Sequence, residues 1–307
     1  MRRRSLVAIA VGVATAGALA LAPVAMAAPV SATAPDINVD DVQAHLKEFQ
    51  SIADAAGGTR HAGSDGYQKS ADYVVGKLKD AGYDVTTPKC GSCSADDVNV
   101  IADWPGGDDS ATIMVGAHLD SVSAGPGIND NGSGSATVLQ VALALAQAKP
   151  DLAKHVRFGW WADEEQGLNG SADYVKSGGA DGVEAYFNLD MVASPNAGYF
   201  VDGLDNQYGK AMADYLTSVK KEPDQMEECC SDDGSFRDAG VPIAFLSTGA
   251  SAQMTQEEAD KWGGEAGKAF DECYHSACDT SDNINADALN NMADALAAGL
   301  WAAAVKS

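Results

Sequence analysis

The chain has 307 residues, with 44 acidic side chains against 20 basic ones and a formal net charge of −24. So negative a balance excludes nucleic acid and anionic membrane surfaces as partners, because both are bound through positive patches. It suits a protein that works in solution and holds cations, and the length is enough for one large domain or two small ones.

The chain opens on an export address. Arg2, Arg3 and Arg4 form a basic start, residues 6–21 are apolar, and Ala25-Met26-Ala27 is a small-residue cleavage signal. The apolar run is too short, and too close to that signal, for a retained membrane anchor. Residues 1–27 are therefore read as a signal peptide and 28–307 as the mature, secreted and extracellular domain. Arg2-Arg3 leaves the export route open, since a twin-arginine pathway also begins with such a pair.

Apolar residues at helical spacing predict helices over 39–50 and 64–81, the second carrying Tyr67, Ala71, Val74, Val75 and Leu78. Strands follow over 98–102 and 112–117, separated by the turn Pro105-Gly106-Gly107-Asp108. Residues 125–127 are a loop, and 133–148 a buried helix that starts near Ser133 or Ser135 and is stopped by Pro150. Beyond it come a strand over 156–162, a helix over 171–177, and strands over 185–189 and 199–202. A helix over 206–219, a strand over 242–247 and a closing helix over 287–305 complete the pattern. Alternating strands and helices predict an α/β fold, with a largely parallel sheet covered on both faces. The sequence shows no repeat, low-complexity tract or linker, which favours a single domain.

Six cysteines fall into three close pairs: Cys90 with Cys93, Cys229 with Cys230, and Cys273 with Cys278. Cys-x-x-Cys also resembles half a zinc site, but secretion favours disulfides. A bond between the adjacent Cys229 and Cys230 would be strained, so that pairing stays open.

Chemistry gathers at the strand ends, where open α/β sheets bind ligands. His118 and Asp120 follow one predicted strand, Glu164 and Glu165 a second, and Asp190 a third. Asp130 sits in a Gly-rich loop and His275 between Cys273 and Cys278. Singly these are weak signals. A lone His-x-Asp is usually a local hydrogen bond, two adjacent glutamates a solvated turn, and Asp190 a helix cap. His45, His61 and His155 have no such company and are set aside. Placement at successive strand ends is what turns the group into a metal centre. Imidazole and carboxylate suit zinc, and one carboxylate can bridge two ions about 3.5–4 Å apart. Asp120 is placed to accept the second ring N–H of His118. Of the two glutamates one faces a metal and the other can take a proton from an attacking water. Tyr274 can donate to the oxyanion of a tetrahedral intermediate.

With those residues the chain resembles the secreted double-zinc aminopeptidases of Streptomyces, within the bacterial leucyl aminopeptidase family of zinc exopeptidases. The resemblance spans nearly all of the mature chain. It rests on Gly116-Ala117-His118-Leu119-Asp120-Ser121-Val122, Ile128-Asn129-Asp130-Asn131-Gly132-Ser133-Gly134, Glu164-Glu165, Asn188-Leu189-Asp190-Met191 and Tyr274-His275-Ser276. It implies a single α/β/α sandwich with a mixed, mostly parallel sheet and the metal site at the carboxyl ends of the strands. It also implies two zinc ions, one held by His118 and Asp190, the other by Glu165 and His275, with Asp130 bridging. Glu164 would be the general base for a water between them, Tyr274 would polarise the scissile carbonyl, and Asp120 would orient His118. The substrates would be peptides with a free N-terminus, and a monomer is expected.

Around the substrate pocket, where Met191 is retained, the chain departs from the family. The segment that commonly reads Ser-Asp-His is here Cys230-Ser231-Asp232-Asp233, and Ser247 replaces an aromatic wall. More acid and less aromatic surface points to a polar or basic N-terminal residue in place of leucine. A calcium site joining the N-terminus to the last helix is matched by Asp36, the carbonyl of Ile37 and Asp294, but Asn290 replaces one carboxylate, which weakens it. The alternatives are another zinc exopeptidase or a single-zinc glutaminyl cyclase on the same scaffold, or a non-catalytic metal-binding module. Retention of Asp130 and of the Glu164-Glu165 pair favours the two-metal hydrolase.

Overall fold

The structure, a computed structural model, describes residues 33–226 and 231–306. The signal peptide expected over 1–27 and the Cys229–Cys230 pairing lie outside the described residues. Eight strands form one sheet: β1 (Asp84–Thr86), β2 (Val100–Asp103), β3 (Thr112–His118), β4 (His155–Trp161), β5 (Val183–Leu189), β6 (Phe200–Asp202), β7 (Asp224–Gln225) and β8 (Ile243–Ser247). Their order is β1-β2-β4-β3-β5-β8-β6-β7. The central β4, β3, β5 and β8 run parallel, while β2 and β6 join them antiparallel. The mixed, mostly parallel α/β sheet expected from the sequence is present.

The parallel strands are near-continuous apolar runs because both sheet faces are covered. Ile113, Val115, Phe158, Trp160, Ala185, Phe187, Ala244 and Leu246 enter the larger core. Their neighbours Met114, Trp161, Tyr186, Ile243 and Phe245 enter a smaller core on the other face. The larger core packs α3 (Gly134–Ala148), α5 (Gln207–Ser218) and α8 (Ala286–Ala304) on the sheet, with α2 (Asp65–Ala81) against α3 and the edge strands β1 and β2, and α1 (Val39–Ala55) against α2, α3 and α8. The smaller core is roofed by α6 (Asp233–Asp238), which touches α4 (Asn169–Tyr174). Gly116 is required here: a Cβ on it would stand 2.7 Å from Tyr186 Oη and 2.9 Å from Trp161 Nε1. Those two atoms form a buried 2.7 Å hydrogen bond packed directly against β3.

Helix starts follow their caps. Asn38 accepts the N–H of Asp40, and Ser64 that of Tyr67. Besides the six-residue α6, three elements were not anticipated. β1 is an edge strand of three residues and β7 of two, both too short to show alternation. The third, α7 (Gln256–Trp262), is announced by a capping box, Thr255 with Glu258, which the periodicity reading passed over. Cys90–Cys93 and Cys273–Cys278 are disulfides, which removes the zinc-thiolate alternative for both pairs. Among the described residues no helix is long and apolar enough to cross a membrane.

The sheet turns back on itself at β3: the next strand in sequence, β4, lies on one side and β5 on the other. A crevice opens beyond the carboxyl ends of the strands at such a switch point.

Candidate metal centre

Each segment at that crevice is held by its own backbone hydrogen bonds. β3 delivers His118, and Asp120 follows it, both essentially without solvent contact. Asp120 Oδ1 lies 3.5 Å from His118 Nδ1. The Asp120 carboxylate also accepts the backbone N–H groups of Glu164 (3.1 Å) and Glu165 (3.4 Å). It therefore joins the histidine at the end of β3 to the acidic doublet after β4. That doublet is braced from behind by Asp163, which has a left-handed backbone (φ 58°). The Asp163 carboxylate accepts the N–H and hydroxyl of Ser94 and the amide of Asn169, and Ser94 directly follows the Cys90–Cys93 disulfide.

The bridging candidate Asp130 lies in a distorted turn over Ile128–Ser133, with a cis peptide bond to Asn131. Asp279 holds this turn: its two carboxylate oxygens accept the N–H groups of Asn129 (2.8 Å) and Asp130 (2.9 Å). Asn131 fastens the same turn to the chain around Asp190. Its amide donates to the Leu189 carbonyl, and its oxygen accepts the Met191 N–H. His275 has φ 54° and lies within the six-residue loop closed by Cys273–Cys278, with the Tyr274 ring stacked on it at 3.8 Å between centroids.

The donor atoms converge. His118 Nε2 is 3.5 Å from Asp130 Oδ1, 3.4 Å from Asp190 Oδ1 and 3.9 Å from Glu164 Oε2. His275 Nε2 is 3.1 Å from Asp130 Oδ2 and 2.9 Å from Glu165 Oε2. The ligating atoms of His118, Asp130 and Glu165, and those of His118, Glu164 and Asp190, lie within 4.8 Å of one another. Glu165 Oε1 and Asp190 Oδ1 are buried oxygens without a hydrogen-bond partner. Imidazole and carboxylate at these spacings, with buried oxygens lacking donors, fit divalent zinc.

The electrostatics agree. Burial, with Asp130 adding to it, pushes Glu165 up to about 8, and burial raises Glu164 as well. Burial also raises Asp130, but His118 and His275 outweigh it and bring that carboxyl down to about 2. The His275 imidazole is raised chiefly by the Asp130 carboxylate beside it. Two glutamates that resist ionisation beside an aspartate held ionised by two imidazoles make a site that a cation would stabilise.

A cavity of about 400 Å³ opens over the centre. Asp130, Glu164, Glu165, Asp190, Tyr274 and His275 line it, as do Met191 and Ser247. Cys230 lies outside the described residues. Asp232 and Asp233 do not line the cavity; both are buried behind it, Asp233 paired with Arg237 at 2.8 Å. Among the described residues Gly167, Leu168, Met226, Ser231, Phe245 and Ala250 complete the wall and were missed. Phe245 faces the smaller core and the cavity from β8, a direction that the apolar run 242–247 does not reveal. Asp279 was missed as a support for Asp130, because an acid in a polar loop carries no such signal.

At the N-terminus, Asp294 accepts the Ile37 N–H (2.7 Å) and the Tyr215 hydroxyl (2.8 Å), while Asp36 is exposed. The link to Ile37 thus runs through its N–H, where its carbonyl was expected to face a cation. His45, His61 and His155 stand away from the centre but do have partners: Tyr73 and Gln140, Thr59, and Asp103.

This combination defines a class: α/β/α proteins with a metal-competent histidine–carboxylate centre at the switch point of the sheet. Within it the chain belongs to peptidase family M28, whose model matches residues 99–300. It is 46% identical over 298 residues to leupeptin-inactivating enzyme 1 of Streptomyces exfoliatus, covering 94% of this chain and 68% of that protein. It is 44% identical over 215 residues to an aminopeptidase of Pseudomonas aeruginosa, covering 65% of this chain but only 40% of that one. The fold also matches BSAP, a zinc aminopeptidase from Bacillus subtilis, with a TM-score of 0.72 and 16% identity over 88% of this chain and 96% of that structure.

Proposed function

We propose that this peptidase is a secreted, zinc-dependent aminopeptidase that removes the N-terminal residue from peptides, with residues 28–307 as its mature catalytic domain. The observation that carries the reading is the position of Asp130 between the two histidines, one oxygen facing His118 and the other His275. His118 and Asp190 would hold one zinc ion, Glu165 and His275 the other, and Asp130 both. Zinc held there would supply Lewis acidity toward a scissile carbonyl and a lowered pKa for water.

The chain's own groups do the rest. Glu164 faces the cavity next to the ligands without being needed as one, and serves as general base and then as proton donor to the leaving amine. Tyr274 keeps its proton because burial raises its phenol, so its hydroxyl is a donor for the developing oxyanion. Asp120 fixes the His118 ring and the backbone of both glutamates. The names of the Pseudomonas and Streptomyces relatives support peptide substrates, and the former supports attack at a free N-terminus.

The test is a panel of N-terminally free and blocked peptides, with zinc analysis on the same sample. Cleavage of free peptides alone, two zinc ions per chain and loss of activity with a chelator are expected. Equal cleavage of blocked peptides would rule out an aminopeptidase, and one ion per chain would point to cyclase-type chemistry. Asp294, with both oxygens accepting protein donors, serves as an internal fastener in this reading, and bound calcium is not required there.

A further inference from the structure

Arg60 lies in the connection between α1 and α2 and is wholly buried, yet it has no place in the chemistry above. Its guanidinium makes its hydrogen bonds to backbone carbonyls and not to carboxylates. Nε donates to Pro126 (2.8 Å), one terminal nitrogen to Gly127 (2.5 Å) and the other to Leu119. Leu119 is the residue between His118 and Asp120, and Gly127 opens the turn that carries Asp130. One planar fork therefore grips both ends of the loop that separates the two ligand-bearing segments.

The neighbouring residues lock this grip. The Arg60 N–H donates to Ser121 Oγ, and the Thr59 hydroxyl donates to the Val122 carbonyl, so the connection is stitched to the inside of the loop. Phe49 of α1 lies under the guanidinium, 5.1 Å from its centre. Burial lowers the Arg60 pKa to about 10, so the group remains a cation at neutral pH, with Asp120, Asp279, Asp130 and Glu165 as the anions opposing that shift. Burying a guanidinium is costly unless its donors are satisfied, so a site that accepts it is built around its geometry. Lysine, a point charge on a flexible stem, cannot hold three carbonyls in one plane.

We infer that Arg60 is a positioning residue of the metal centre, holding the chain on either side of loop 119–127 so that His118 and Asp130 face the same cation. The inference rests on the metal reading proposed above, and its test separates the two. Zinc affinity is measured by competition with a chromophoric chelator on the full chain, wild type alongside Arg60→Lys and Arg60→Met. Melting temperature and kcat against KM are read on the same samples. Leu78→Ala, in the core of α2 and away from the centre, serves as a control for lost stability.

Both Arg60 variants should bind zinc about 10–100-fold more weakly, the range for residues that orient metal ligands, with kcat reduced and KM little changed. Arg60→Lys keeps the charge and should still fall short, and it keeps the test usable if Arg60→Met does not fold. Leu78→Ala should melt earlier but keep its zinc affinity. Wild-type zinc affinity in a folded Arg60→Lys would overturn the inference, as would an equal loss of affinity in Leu78→Ala. A wild-type chain that binds no zinc would sink the metal reading and this inference together.

Discussion

The Asp279 carboxylate accepts the backbone N–H of Asp130 at 2.9 Å while its other oxygen takes that of Asn129 at 2.8 Å. A side chain 149 residues away in sequence thus fixes the turn that carries Asp130, the proposed shared ligand. Asp279→Asn has the same shape but one acceptor oxygen in place of two. It would turn an NH2 group toward a buried N–H, leaving a donor unmet at about 1–3 kcal/mol. Zinc affinity and kcat/KM should both fall by about 10–100-fold. Chelator competition and steady-state kinetics measure this, and an unchanged zinc affinity would refute the role.

Glu164→Gln keeps the size and hydrogen-bonding shape of the side chain but cannot take a proton. Since His118, Asp130, Glu165, Asp190 and His275 remain, the variant should bind the same amount of zinc. Its kcat should drop about 10²–10⁴-fold, the usual worth of a general base, with KM nearly constant. A variant that lost zinc as well would make Glu164 a ligand. One that kept full activity would remove it from the mechanism.

How much of this was legible in the sequence differs by kind of residue. His118, Asp190 and the Glu164-Glu165 doublet stand directly after apolar strands, and strand ends in a parallel sheet share one edge, so their convergence could be read from the chain. His275 and Asp130 come from loops with no periodicity, so the chain offered them only as candidates of the right type, and their separate roles depended on the family resemblance. Arg60 and Asp279 act through backbone groups of residues distant in sequence, and no spacing rule encodes such a contact. Asp232 and Asp233 were expected in the pocket because the segment aligns with pocket residues. The chain instead enters α6 here and turns both carboxylates inward, leaving Ser231 on the wall.

The loop closed by Cys273–Cys278 carries both Tyr274 and His275, and His275 holds a positive φ that an unconstrained chain disfavours. Opening it by Cys273→Ala/Cys278→Ala releases a five-residue separation, worth about 2 kcal/mol on the chain-entropy account. The double variant should fold, melt earlier and bind its second zinc ion more weakly than the first. Isothermal titration with zinc would show this as a split into two unequal sites, and two unchanged sites would show that the clamp is dispensable.

Far from the centre, Asp103 on β2 receives His155 (2.6 Å) and Arg157 (2.7 Å) from β4. The His155 pKa is raised above its ordinary 6.5, chiefly by the Asp103 hydrogen bond. Burial would raise Asp103 above 3.8, but the bonds from His155 and Arg157 win and lower it. The histidine contribution is therefore complete below 6.5 and fades as pH rises through the raised value. The aspartate contribution is present above 3.8 and is lost as pH falls through the lowered value. Asp103→Asn should depress the melting temperature more at about pH 5.5 than at about pH 9, where only the Arg157 pair is left to lose. A deficit independent of pH would mean that His155 is not charged in the folded chain.

The cavity wall sets the last expectation, on substrate preference. Leu168, Met191, Met226 and Phe245 present apolar surface beside the centre, and Ser231 and Ser247 are its small polar members. The acids that pointed toward a basic N-terminal residue are withdrawn from it: Asp233 is paired with Arg237, and Asp232 is fully buried. A leucine side chain gains about 1.5–3 kcal/mol on leaving water for such a wall, whereas among the described residues no carboxylate beyond the metal centre lines it to meet a lysine ammonium group. Leucyl p-nitroanilide should therefore exceed the lysyl compound in kcat/KM by about tenfold or more. Phe245→Ala should shrink that ratio by removing wall area while leaving every metal-facing group in place. A lysyl substrate that matched or beat the leucyl one would show that a carboxylate reaches the pocket after all, and Asp232→Asn would then identify whether it is the buried one.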